Sequence, residues 1–232
     1  INYVLAHYSP YTIFKDKRAY FAYMGEIDEH ILDIQRTADT DEDDIRKAAL
    51  QRYAENYAPQ DIFLELRNVC NKKESRDPVF RIISAPARLE FLTSIALVQN
   101  LKNLDVNPNY VIDDEGLPTC TAAGGMADIV CQDTVNDCLV EVTLMCGRQQ
   151  VHNELLPICR HLAEAKKKKE ETVSIFVAPR IHEDARRYAR FIKVDEGLDI
   201  KAFDMDEFLK VIEHYETLDD MVADEDARPT GI

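Results

Sequence analysis

The sequence predicts a mixed α/β fold in which a central sheet carries helices on both faces. Three observations predict it: an apolar, helix-length stretch over 86–101, two short apolar strands at 127–131 and 138–145 joined by a polar turn, and a β-rich run at 173–178 between two helical stretches. Strands interleaved with helices in this order bury their apolar sides by layering helices on the sheet.

Each element follows from local pattern. Residues 1–30 carry seven aromatics without a clean period (Tyr3, Tyr8, Tyr11, Phe14, Tyr20, Phe21, Tyr23) and read as packing for an interface or a small helical subdomain. Thr40 with Asp43 fits a capping box, and the acids from Asp41 to Asp44 suit a helix amino end, so a helix is expected over 41–57. Pro59 ends it, and Ile62, Phe63, Leu66 and Val69 mark a second helix over 60–71. The helix over 86–101 is apolar on most faces and therefore buried, yet it holds Glu90, a carboxylate that needs a partner or a metal. A short strand at 110–112, an acidic turn Asp113–Gly116 and a loop Thr119–Gly125 precede the two strands. A helical region then runs over 148–170, with Pro157 expected to kink or split it. The strand 173–178, a helix 182–194, a strand 200–203 and a helix 206–215 complete the order, and an acidic tail from Asp219 is expected to be mobile. The resulting division is an N-terminal helical or linker region over 1–75, a core over 76–218 and a tail over 219–232.

Composition limits the function classes. The 232 residues hold 28 Lys and Arg against 43 Asp and Glu, a formal net charge of −15, which taken alone argues against binding nucleic acid. No apolar stretch approaches the roughly 18 residues needed to cross a bilayer. Tyr8, Ser9, Pro10 and Lys15 interrupt any secretory signal, so a cytoplasmic protein is expected. The six cysteines form no CxxC pair and read as reduced, mostly buried thiols rather than a zinc site or disulfide scaffold. Ile1 in place of Met is what is expected of a fragment, a processed product or the ordered part of something longer.

The chemistry lies in carboxylates. Alternation along the two strands puts Asp128 on one face with Val130, and Leu139, Glu141 and Thr143 on one face of the next. A hairpin centred on Thr134 and Val135 places Asp128 opposite Glu141, with Cβ atoms about 5 Å apart. Two inward acids that close repel unless a cation sits between them, and Mg²⁺ suits carboxylates beside phosphates. Glu154 and His161, seven residues apart on the following helix, share a face. The bland alternative is a solvated acidic face and a surface histidine.

The segment Gly124-Gly125-Met126-Ala127-Asp128, followed by Glu141-Val142-Thr143, resembles the PD-(D/E)xK nuclease core. More narrowly, it is similar to the AlwI family of type IIS restriction endonucleases, which includes nicking enzymes. The resemblance covers residues 80–180 and implies a restriction-endonuclease-like fold with Glu90, Asp128, Glu141, Glu154 and His161 as the site. It further implies that Asp128, Glu141 and the Val142 carbonyl ligate Mg²⁺, that Glu90 holds a second metal or a water ligand, and that Glu154 orients water. His161 would serve as a base or a phosphate contact. Ala127 stands where the broad motif has Pro, and Thr143 where it has Lys, so Glu154 or His161 takes over from the missing cation. Arg148, Gln149, Gln150 and His152, at the start of a helical segment, are candidate phosphate contacts. Lys166–Lys169 is either a solvated helix end or a further DNA contact.

The expected activity is Mg²⁺-dependent hydrolysis of one strand of duplex DNA by a cleavage domain or subunit, near a site read by another domain or subunit. Two alternatives are a non-catalytic interaction module of the same fold and a nuclease of another nucleic-acid pathway. On the nuclease reading, part of the −15 charge belongs to the metal site, and an acidic module depends on a partner for DNA affinity.

Overall fold

The computed structural model describes residues 42–133 and 135–223. The aromatic segment 1–30, the capping residue Thr40 and the end of the tail over 224–232 lie outside the described residues. The chain divides into two units, Ile1–Asp44 and Ile45–Ile232. Helix α1 is described over 42–56. There follow α2 (Pro59–Cys70), α3 (Pro78–Ile82), α4 (Ala85–Asn100), β1 (Asp105–Pro108), β2 (Val111–Ile112), β3 (Pro118–Cys120), β4 (Ile129–Gln132) and β5 (Asp137–Val142). A π-helical turn, Val151–Leu155, leads into α5 (Leu156–Lys166), then β6 (Val173–Ala178), α6 (Glu183–Glu196), β7 (Ile200–Asp204), α7 (Met205–His214) and α8 (Leu218–Ala223).

Five strands form a mixed sheet in the order β1-β4-β5-β6-β7, with β2 and β3 paired separately. The β1-β4-β5 pairs are antiparallel and β5-β6-β7 are parallel. Apolar side chains fill both faces. Ile129, Cys131, Cys138, Val140, Ile175 and Val177 pack into one core with α2, α4 and α7. Phe176, Ala178 and Ile200 pack into a second core with α5 and α6. In the first core Phe91 of α4 meets the Tyr53 and Tyr110 rings edge-on, at 5.2 and 5.7 Å between centroids.

Strand β1 was not expected, and it carries Asp105, Asn107 and Pro108, which an edge strand tolerates because it pairs on one side only. The tail does not begin at Asp219 as loose chain: α8 spans that position and buries Leu218 and Met221 in the first core. Pro157 is accommodated by the π turn before it, where Leu156 N–H bonds Val151 C=O, so a break falls where proline cannot donate. The turn from Asp113 to Leu117 lies against α1. Gly116, at φ +81°, is required there, because a Cβ would collide with that of Ala49. Gly116→Ala is expected to cost about 2–3 kcal/mol through overpacking and backbone strain, read as a lower urea midpoint at unchanged slope.

Candidate active site

The parallel strands β5, β6 and β7 all end at one edge of the sheet, and β4, running the other way, begins there. Ile129 pairs with Val140, so the same register carried one residue outward sets Asp128 opposite Glu141, as the hairpin arithmetic predicts. Their neighbours Ile129 and Val140 point into the first core, which turns both acids toward the layer of α5. Glu90 approaches from α4 in the opposite layer, where its Oε2 accepts the Ala122 N–H at 3.0 Å. Asp128 Oδ2 accepts the Val142 N–H at 2.8 Å, which ties the start of β4 to the end of β5. The π turn and α5 bring the other two residues to the same strand. The Thr143 hydroxyl donates to Glu154 Oε1 at 2.8 Å, and His161 Nδ1 lies 2.8 Å from Glu141 Oε1. Thr143 therefore contacts an acid directly.

The charges of these residues act on one another. Burial first, then the charge of Asp128, pushes Glu90 up to about 8. Burial and then the Glu141 carboxylate push Asp128 up to about 7. Burial pushes Glu141 up to about 8, with Glu154 and Glu90 adding to the rise. Glu154 is raised by burial and partly restored by Thr143, and His161 is lowered by burial and by Arg160. Four acids, from α4, the residue before β4, β5 and the π turn, thus share one field, which is the arrangement that favours a cation.

Among the described residues no three His, Cys, Asp or Glu side chains are gathered into a ready ligand set. Each acid is turned to its own donor instead, which separates like charges. The donor chemistry still fits a hard divalent cation: buried carboxylate oxygens whose ionised forms lack a compensating charge.

Gln150 is not a phosphate contact. It is fully buried, its amide donates to the carbonyls of Met145 and Arg180, and its Oε1 accepts the His182 N–H at 2.8 Å. Nothing in the sequence separates this buried bracket from a surface glutamine. Gln150→Leu is expected to cost about 1–3 kcal/mol, since three backbone groups lose the partner that the buried amide supplies, and thermal unfolding reads the loss. Gln149 and His152 are exposed near the acids, while Arg148 is exposed with its Nε 3.7 Å from Asp184. The lysine run is at the other end of the sheet: Lys169 pairs with Asp137 at the start of β5, and Lys167 with Glu164. It is a solvated helix end, away from the acids. All six cysteines are free, three of them buried. No helix among the described residues is long and apolar enough to cross a membrane.

A model of the AlwI restriction endonuclease matches residues 21–211. The chain belongs to the AlwI restriction endonuclease family. Among solved structures, this AlwI-family chain is similar to the small subunit (R.BspD6I2) of the heterodimeric restriction endonuclease R.BspD6I. The two are 28% identical, with a TM-score of 0.53 over 66% of this chain and 76% of that one. Both the mixed sheet and its flanking helices are thus those of a restriction-endonuclease fold. No curated protein matches the chain.

Proposed function

We propose that this AlwI-family chain is the cleavage module of a type IIS, nicking-type endonuclease that hydrolyses one strand of duplex DNA in a divalent-cation-dependent reaction. The observation that carries the reading is the placement of Glu90, Asp128, Glu141 and Glu154 at one end of the sheet by the β4–β5 register and by their hydrogen bonds, where burial and neighbouring charge raise them. Such a set costs stability, which a mere interaction module has no reason to bear.

Asp128 and Glu141, with the Val142 carbonyl, would hold Mg²⁺, and Glu90 would hold a second ion or a water ligand. A bound divalent cation lowers the pKa of a water and polarises the phosphoryl oxygen. The chain's own groups do the rest. Thr143 fixes Glu154 Oε1, which leaves Oε2 to accept a hydrogen bond from the attacking water. His161 spends Nδ1 on Glu141, so Nε2 is the ring atom that exchanges a proton with substrate. Thr143→Val should then slow nicking about tenfold, the worth of one hydrogen bond to a charged acceptor, without altering the fold. Recognition of the DNA site falls to another domain or subunit, in keeping with the heterodimer in which the similar small subunit works.

Supercoiled plasmid incubated with the protein and its recognition partner tests the reading. Mg²⁺-dependent conversion to the nicked circle, suppressed by chelator, is expected. Linear product without a nicked intermediate would exclude nicking, and intact plasmid would exclude the enzyme.

A further inference from the structure

Beyond the acids, the same edge of the sheet carries a cleft of about 440 Å³ at the ends of β6 and β7, lined by Arg67, Cys70, Lys72, Cys146, Arg180 and Asp206. Three cations and one acid make it basic, in a chain of net charge −15. Arg67 is bound to Asp206 at 2.8 Å, whereas the side chains of Lys72 and Arg180 have no hydrogen bond or ion pair among the described residues and are exposed. The cleft adjoins the acids through one short loop: Thr143, which holds Glu154, lies three residues before Cys146. At the far end of the sheet Lys167 and Lys169 are paired with acids and Lys166 bonds backbone carbonyls.

We propose that this cleft carries the DNA backbone on one side of the scissile phosphate, with Lys72 and Arg180 each taking a phosphate. The inference rests on the nuclease reading and names the path of its substrate. Geometry supports it: β5 to β7 spans two strand spacings, about 10 Å, which matches an advance of about three nucleotides along a duplex strand. Duplex DNA anchored at the acids would therefore reach the cleft within the same half turn. The occupant is a polyanion because the cleft offers cations from α2's end and from the β6–α6 loop, converging from two elements that pack independently.

Two readouts test this on a defined duplex in chelator, with the recognition partner present in every sample, where binding proceeds without cleavage. The first is the slope of log affinity against log salt. Lys72→Gln with Arg180→Gln should flatten it by about 1.8, two phosphates at about 0.9 each. Lys167→Gln with Lys168→Gln, at the far end, should leave it unchanged. The second is maleimide labelling of Cys146 in a Cys120→Ser background. Burial pushes Cys70 up to about 12, which keeps it a thiol, so Cys146 is the exposed cysteine that reacts. DNA should slow that labelling more than threefold in the parent and not in the double variant. An unchanged slope, equal flattening by the far-end pair, or undiminished labelling of DNA-bound protein overturns the cleft assignment while Mg²⁺-dependent nicking leaves the nuclease reading standing. Failure of the parent both to bind and to nick overturns the two together.

Discussion

Asp128→Asn should abolish divalent-dependent strand cleavage, by about 10³-fold or more, and leave the protein at least as stable as its parent. The substitution removes one charge from a set of four mutually repelling acids but keeps the atom that the backbone uses, because an amide oxygen can still accept the Val142 N–H now bound by Asp128 Oδ2. Loss of activity with a retained or higher melting temperature separates a functional acid from a structural one. A structural acid would show the reverse, a lower melting temperature with the residual activity of whatever remains folded. Nicking by the partner is controlled by including the partner alone.

The second large effect is a coupling of stability to pH and divalent cation. Glu90 and Glu141 sit near 8 and Asp128 near 7 in the folded chain, all above ordinary carboxylate values. The folded state therefore binds more protons than the unfolded state between about pH 4 and pH 8, and stability falls as pH rises through that window. Counting one acid's worth, about 3 units, gives ~4 kcal/mol, or roughly 10 °C in melting temperature for a domain of this size. Without divalent cations, melting should be highest near pH 5 and lowest above pH 8. Mg²⁺ should restore stability at pH 8, where it meets ionised acids, and do little at pH 5. Asp128→Asn and Glu141→Gln should each flatten the pH profile, and a profile unchanged by both would place the titration elsewhere.

How much of this was legible in the sequence varied by element. The strand Val173–Ala178 is legible to its observed bounds because five of its six residues are apolar and only Ser174 breaks the run. The opposition of Asp128 and Glu141 followed from the polar turn between two apolar strands, since one residue of slip would have turned both cores outward. Helix α4 was read as buried from its lack of a polar face, and Glu90 stood out within it for the same reason. Edge strand β1 was not legible, because Asp, Asn and Pro suppress the alternating pattern and only pairing with β4 makes it a strand. The places of Gln150 and the lysine run are not legible because a side chain's partner depends on tertiary placement: Gln150 closes a bracket between two loops, and Lys169 meets an acid 32 positions away. The basic cleft is invisible in the sequence for the same reason, since strands β1 to β6 lie between Lys72 and Arg180.

The proposed function turns on one claim, that the end of the sheet where β4 begins and β5 finishes is a divalent-cation site for phosphodiester hydrolysis. Anomalous diffraction from crystals of the protein soaked in Mn²⁺ at pH 8 tests it most directly. The account predicts a peak within about 2.5 Å of carboxylate oxygens of both Asp128 and Glu141, lost in Asp128→Asn. A peak elsewhere on the chain, or none at that edge in crystals soaked to saturation, would contradict it.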